Sequence, residues 1–427
     1  MKPNPAHSPI GFEAAEILLP DFDTVDGSRW AVVACDQYTS EPDYWEAVEQ
    51  AVGNAPSTLR MILPEVYLSE SDTRVPLING AMQHYLDGIL KGYPHAMIAL
   101  ERTQSDGSVR RGILGAVDLE CYDYRRGSDS LIRATEGTVL ERIPPRVAIR
   151  RDAPVELPHV MLLIDDPKRT VIEPTLAACT SRTPIYDFDL MLGGGHVRGY
   201  LLEASIQERI KEALGALIAP AEMSARYGCD GLAPLLFAVG DGNHSLATAK
   251  TFYEEVKAAI GAEAAMRHPA RYALVEIVNL HDEALRFEPI YRVVFGADTD
   301  ALLRELRQVL STLNGTAPAQ ELLCVRGDCD ERIPIPHPTE QLAVGTLQTF
   351  LNEYVKRHPE VEIDYIHGED SLRTLAKETG AIGFLFDGMR KDELFRTVIF
   401  DGALPRKTFS MGHAPDKRYY LECRKIK

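Results

Sequence analysis

Nowhere in this chain do as many as about eighteen apolar residues run together, so no helix of membrane-spanning length is expected. Basic charge is also short: 46 Lys and Arg stand against 63 Asp and Glu, a formal net charge of −17. A surface that acidic repels a polyphosphate backbone, which argues against nucleic acid as a partner. Any anionic ligand must then be drawn by a local cationic pocket and not by the global field. The seven cysteines form an odd, scattered set without a CxxC pair, which fits reduced thiols in the cytoplasm better than a disulfide frame. HExxH, a Gly-x-Ser-x-Gly elbow and a Gly-Lys-Ser/Thr phosphate loop are all missing, so zinc-hydrolase, serine-hydrolase and Walker-type chemistries lack their signatures. Glu13 and Glu16 interrupt the apolar residues near the N-terminus, so no secretory signal is expected there. The expectation is a cytoplasmic protein with no membrane partner.

What is present is ordinary globular stock, 45% hydrophobic and 26% charged over 427 residues, enough for two domains. Trp30–Cys35, Ala96–Leu100, Ile113–Val117, Val160–Ile164, Leu235–Val239 and Tyr272–Val278 read as buried strands. Helical spacing separates many of them, over Tyr44–Val52, Val75–Leu90, Val139–Arg150, Ser205–Ile218 and Ser245–Ile260. This alternation predicts a mixed α/β core. Pro and Gly cluster at Asn314–Gln320 and Asp330–Glu340, the best linker candidates. A strand-like run ends near Gly296, and Asp298–Leu313 begins a helix. The division expected is an α/β domain over 1–296 and a smaller α+β domain over 297–427 that folds back on it.

Leu235–Lys250 (LLFAVGDGNHSLATAK) is the most informative stretch. An apolar run is broken by Gly240-Asp241-Gly242-Asn243, residues that tolerate positive φ or cap a helix, and helical spacing follows. Backbone N–H groups at such a helix start favour an anion, by about 0.3–1 kcal/mol for the dipole alone. A phosphate is the commonest such anion, although any α/β unit changes direction through a turn of this kind. The third glycine of a dinucleotide fingerprint is missing. Gly193-Gly194-Gly195-His196 reads as a hairpin loop, and Asp165-Asp166-Pro167 as a turn opening.

Asp241-Gly242-Asn243-His244-Ser245 resembles the Asp-Gly-His-His-Arg signature of the bacterial and archaeal "domain of unknown function 1015" family. Other segments match it in order: Ile132–Arg146 with Glu136, Thr138 and Arg146, the Tyr-Asp hairpin of Pro184–Glu203, and Phe287–Val294 (FEPIYRVV). Ile363–Gly368, Ala381–Asp387 and Leu404–Phe409 continue the likeness into the tail. That family in turn looks related to the ParB and sulfiredoxin-like fold, whose wider group includes free-serine kinases. The resemblance therefore implies a ParB/sulfiredoxin-like mixed-sheet core and a small-molecule kinase. One departure matters: Ser245 stands where the signature closes with Arg, so a hydroxyl replaces a phosphate-clamping guanidinium.

Phosphoryl transfer needs neutralised phosphate oxygens, a positioned acceptor hydroxyl and a base. Under the resemblance Glu136 is expected as that base and His244 as its catalytic companion. Asp241, Gly242, Asn243, Ser245 and Arg146 are expected to bind the phosphates of ATP or ADP. Asp241 is expected to cap the helix, orient His244 or hold Mg²⁺. The missing positive charge is sought in Arg142, Arg146, Arg292 and Lys407, with Arg292, Lys407 and Thr408 expected to bind substrate. The reaction expected is transfer of phosphate from ATP or ADP to a hydroxyl acceptor such as free L-serine. Two alternatives stay open: a nucleotide-binding regulatory protein without chemistry, and a phosphatase or nucleotide hydrolase.

Overall fold

Short apolar runs that cannot stay in water become the strands of two main sheets and three strand pairs, and the segments between them supply the helices. The computed structural model describes residues 10–137 and 143–427. They fall into two units, the first holding the described residues of Met1–Ala134, Thr138–Leu285 and His413–Lys427, the second Thr135–Gly137 and Arg286–Gly412.

In the first unit the main strands are β1 (Phe12–Glu13), β2 (Ile98–Thr103), β3 (Val109–Asp118), β4 (Tyr122–Asp123) and β5 (Ile132–Ala134), followed by β6 (Met161–Ile164), β7 (Tyr186–Asp189), β8 (His196–Leu201), β9 (Phe237–Asp241) and β10 (Tyr272–Asn279). They form one sheet in the order β7-β8-β2-β3-β10-β6-β9-β5-β4, with β1 against β3. The β6/β10, β9/β5 and β5/β4 pairs are parallel, while β6/β9 and β3/β10 are antiparallel. The fold is thus mixed α/β. β6 is buried along its whole length and β10 everywhere after its first residue, as strands covered on both faces must be. Helices α1 (Ile143–Asp152), α2 (Ala204–Leu217) and α3 (Asn243–Ile260) belong to the same unit. In α2 the buried Ile206, Ile210, Leu214 and Leu217 form one stripe at helical spacing. α3 buries Leu246, Ala249, Phe252 and Tyr253 in the same manner.

The Trp30–Cys35 run differs from the strand expected of it. Asp26 caps a helical turn over Gly27–Trp30 by accepting from Ser28 N, and only Val32–Val33 is extended. Its partner there is Tyr419–Tyr420, from the C-terminal segment that threads this unit. Trp30 Nε1 donates to Leu421 O at 2.8 Å, and Leu18 and Cys423 exchange backbone bonds of 2.7 and 2.9 Å. Asp166 accepts from Thr170 N and Val171 N at 2.6 and 3.0 Å, which is the turn expected of Asp165-Asp166-Pro167. Gly193–Gly195 close the β7/β8 hairpin.

The second unit holds β11 (Phe287–Phe295), β12 (Gln320–Arg326), β13 (Cys329–Ile335), β14 (Glu362–His367), β15 (Ile382–Leu385) and β16 (Phe409–Met411). Their order is β13-β12-β15-β11-β14, with β16 also on β11. Asp298 caps the helix over Thr299–Thr312 by accepting from Asp300 N and Ala301 N. Half of the expected linker at Asp330–Glu340 is strand β13, paired in register with β12. Its Pro334 is tolerated because β13 lies at the sheet's edge.

Candidate functional site

The turn after β9 is shaped by two glycines. Met161 pairs with Asp241 while Leu162 pairs with Val239, which leaves Gly240 as the extra residue of a bulge. A Cβ on Gly240 would lie 2.8 Å from Leu163 Cγ. Gly242 then reverses the chain at φ +79°, and a Cβ there would meet Val160 Cγ2 at 3.0 Å and Val160 Cα at 3.1 Å. Only glycine fits both the left-handed backbone and the close approach. α3 begins at the next residue, and Leu246 N donates to Gly242 O at 3.0 Å to close its first turn.

Asp241 is held from two sides at this turn. Its Oδ1 accepts Gly242 N at 2.9 Å, and its Oδ2 accepts Lys417 Nζ at 3.0 Å. The two side chains are 20% and 16% exposed, so the ammonium sits largely out of solvent. Lys417 is therefore the cation placed at the signature turn. No local pattern around it announces this, and sequence reasoning sought the charge elsewhere.

Ser245, in the first turn of α3, faces a chain of polar groups. Its Oγ lies 2.9 Å from His159 Nε2, and His159 Nδ1 lies 2.8 Å from Tyr420 Oη. Tyr420 Oη donates to Cys35 Sγ at 3.0 Å. Both ring nitrogens of His159 are thus engaged, Nε2 by the Ser245 hydroxyl and Nδ1 by the Tyr420 phenol. Asp36 Oδ2 stands 3.9 Å from the same Nε2, and Gln37 Nε2 donates to Asp36 Oδ1 at 3.0 Å. His159 and Tyr420 are buried, whereas Ser245, Cys35 and Asp36 are half-buried. Burial and the Asp36 charge push the Cys35 thiol up to about 12. Burial alone would raise Asp36 too, but His159 whenever its ring is charged, the Gln37 bond and Lys417 hold it below the ordinary carboxylate range. Burial drives Tyr420 well above its ordinary value, with Cys35 and Asp36 adding to it. Neither His159 nor Tyr420 stands out in the sequence. Their only signals are a histidine just before a buried strand and a Tyr-Tyr pair in the tail.

The other expected residues lie as follows. Arg146, on α1, is ion-paired with Glu65, whose backbone N–H donates to Cys35 O at 2.8 Å, so it borders this cluster. His244 and the buried Asn243 open α3, and His244 O accepts Thr248 Oγ1 at 2.7 Å. Thr138 and Arg142 lie outside the described residues. Glu136 belongs to the second unit, where it forms a parallel bridge with Leu404 and Thr135 O accepts Leu404 N at 2.6 Å. In that unit Arg292 is wholly buried. It donates to Gln348 Oε1 at 2.7 Å, Lys407 O at 3.0 Å and Arg406 O at 2.9 Å, and also to Ile290 O. Burial lowers it to about 10. Lys407, at φ +52°, holds its ammonium 4.8 Å from the Tyr365 ring centre, and Thr408 Oγ1 donates to Pro405 O at 2.8 Å.

Among the described residues, no cluster of three His, Cys, Asp or Glu side chains is arranged to hold a metal. Both Asp241 oxygens are engaged, Oδ1 by Gly242 N and Oδ2 by Lys417 Nζ.

The model of the family described as "Protein of unknown function (DUF1015)" matches residues 20–398. No curated protein matches the chain. Among solved structures, a conserved hypothetical protein from Pyrococcus furiosus is 10% identical, with 73% of this chain and 94% of that chain covered at a TM-score of 0.34. A free serine kinase in complex with AMP is 11% identical, with 73% and 91% covered at 0.37. SbnI with a C-terminal truncation, from Staphylococcus aureus, is 10% identical, with 70% and 82% covered at 0.33.

Proposed function

The chain belongs to the DUF1015 family, and from that premise we propose that it is a small-molecule kinase, moving the terminal phosphoryl group of ATP or ADP to a hydroxyl acceptor such as free L-serine. The observation that carries this reading is the turn at Asp241–Ser245. A strand delivers a left-handed glycine, an 18-residue helix starts at once, and a Lys417 ammonium is pinned to the same turn. Backbone amides and a nearby cation are what phosphate oxygens require. Lys417 stands in charge, though not in shape, for the guanidinium that Ser245 replaces; an ammonium is a point charge where arginine is a fork.

In this reading His244 and the amides of Asn243 and Ser245 receive the phosphates, and Lys417 moves from Asp241 toward them as they arrive. Mg²⁺ enters with the nucleotide and neutralises its oxygens. Glu136, by the resemblance of its segment, takes the proton of the acceptor hydroxyl. A positioned base of that kind contributes about 10²–10⁴-fold.

The test is turnover of Mg-ATP and Mg-ADP against a panel of hydroxy amino acids and polyols, with binding measured separately by calorimetry. Glu136→Gln is expected to keep nucleotide affinity and lose turnover. Binding without turnover on any acceptor would favour a regulatory nucleotide sensor, and phosphate release without an acceptor a hydrolase. No binding of either nucleotide would overturn the proposal.

A further inference from the structure

Resting on the kinase reading, we infer that Ser245 is itself a nucleophile, with His159 as its general base, and that phosphate passes through a phosphoserine at this position. The geometry is that of an activated hydroxyl. Ser245 Oγ is 2.9 Å from His159 Nε2, and the far ring nitrogen is held 2.8 Å from Tyr420 Oη, which also lies 3.0 Å from Cys35 Sγ. In the tautomer protonated at Nδ1 the ring turns its Nε2 lone pair toward the serine, and the Tyr420 oxygen is placed to accept Nδ1–H. When the ring takes the proton, the Asp36 carboxylate 3.9 Å from Nε2 stabilises the imidazolium. His159 and Tyr420 are buried while Ser245 is partly exposed, so the ring is held in place beneath a residue that is not fully enclosed. Ser245 is also the third residue of α3, where a dianionic phosphoserine meets the positive end of the helix.

Ser245 Oγ attacks the terminal phosphorus of the nucleotide, its proton passes to His159 Nε2, and the bridging P–O bond breaks with the electron pair leaving on the shortened nucleotide. The acceptor hydroxyl then attacks the phosphoserine phosphorus, and its proton goes to the base that the kinase reading assigns to the acceptor and not to His159, which still holds the serine's proton. Ser245 Oγ departs and recovers its proton from His159. Tyr420 and Cys35 are positioning residues that hold the His159 ring from its far side.

The experiment incubates the full chain with Mg-ATP in the absence of acceptor and maps phosphate by peptide mass spectrometry, with nucleotide affinity measured alongside. Phosphate on Ser245 that is chased on adding acceptor is the expected result. Ser245→Ala should bind nucleotide and melt like wild type while losing both label and at least about 100-fold in kcat, and Ser245→Thr should restore the label. His159→Gln should slow labelling by about 10²–10⁴-fold. A chiral phosphorothioate donor should give retention at phosphorus, the mark of two displacements. Inversion, or wild-type turnover by Ser245→Ala, overturns the inference and leaves the kinase reading standing. Bound nucleotide without label on Ser245 overturns it as well, and failure to bind nucleotide removes both.

Discussion

Lys417 Nζ lies 3.0 Å from Asp241 Oδ2 across a sequence separation of 176 residues, so the C-terminal segment supplies the cation at the turn after β9. Lys417→Met removes that charge and leaves a largely buried carboxylate short of its partner. Losing a charged hydrogen bond of this kind costs about 2 kcal/mol, readable as a lower urea midpoint. Under the kinase reading the Kd for Mg-nucleotide rises about tenfold, which is 1.4 kcal/mol. Lys417→Arg restores the charge and should recover most of both. Unchanged nucleotide affinity in Lys417→Met would detach this ammonium from ligand binding.

Gly242 and Gly215 make a contrasting pair. At Gly242 a Cβ is placed in left-handed backbone at φ +79° and pressed to 3.0 Å from Val160. Gly242→Ala is therefore expected to destabilise by about 1–2 kcal/mol from the backbone alone, and by more from the contact. Gly215 lies inside α2, and its Cβ would meet only Ile10 Cγ2 at 3.9 Å, an ordinary contact. Gly215→Ala should stabilise by about 0.5–1 kcal/mol. Denaturant melts of the two variants should move in opposite directions, and a shared direction would contradict the argument.

The part of this molecule that could be read from sequence is the part whose information is local. β10 and α3 declare themselves through run length and helical spacing, and Gly240 to Asn243 through turn chemistry. The Asp166 turn was legible for the same reason. Trp30–Cys35 was not, because Asp26 caps a helical turn and the extended partner of Val32–Val33 comes from Tyr419–Tyr420. β13 hid behind Pro334, whose tolerance depends on an edge position that only the sheet order reveals. At the candidate site the strand, glycine and helix were visible, while Lys417, His159, Tyr420 and Cys35 arrive from three distant segments. Their grouping is a property of the topology, and no spacing rule contains it.

The thiols should sort by environment. Cys35 is pushed up to about 12 by burial and the neighbouring Asp36 charge, so at pH 8 about one molecule in 10⁴ carries the thiolate that alkylation requires. Cys229 and Cys329 are exposed. Iodoacetamide at pH 8 should label those two first and spare Cys35 in the folded protein, with mass mapping as the readout. Tyr420→Phe removes the hydroxyl that bonds Cys35 Sγ. Burial still governs, so Cys35 should stay slow, and rapid labelling in either protein would mean that its thiol is reached and ionised.

Acid stability should depend on Glu156, which ties the C-terminal segment to the first unit's sheet. Its Oε1 accepts Arg424 Nε at 2.7 Å and Leu274 N at 2.9 Å, and Arg150 is ion-paired to Oε2. Burial alone would raise this carboxyl. The Arg424 and Arg150 charges, with the bonds they make, outweigh it and hold Glu156 below its ordinary 4.5. The folded value is depressed, so the stabilisation is complete above about pH 4.5 and is lost as pH falls through the folded value. Glu156→Gln leaves two arginines without their buried counter-ion and should cost about 3–5 kcal/mol at neutral pH. It should also flatten stability against pH below about 4.5, where each extra proton bound by the unfolded chain contributes 1.36 kcal/mol per pH unit. Denaturant melts between pH 3 and 7 measure both effects. An acid limb equally steep in the variant and the wild type would assign the acid sensitivity to other carboxylates, Asp165 first among them: Tyr227, His281 and Arg226 likewise hold it below its ordinary value against the pull of burial.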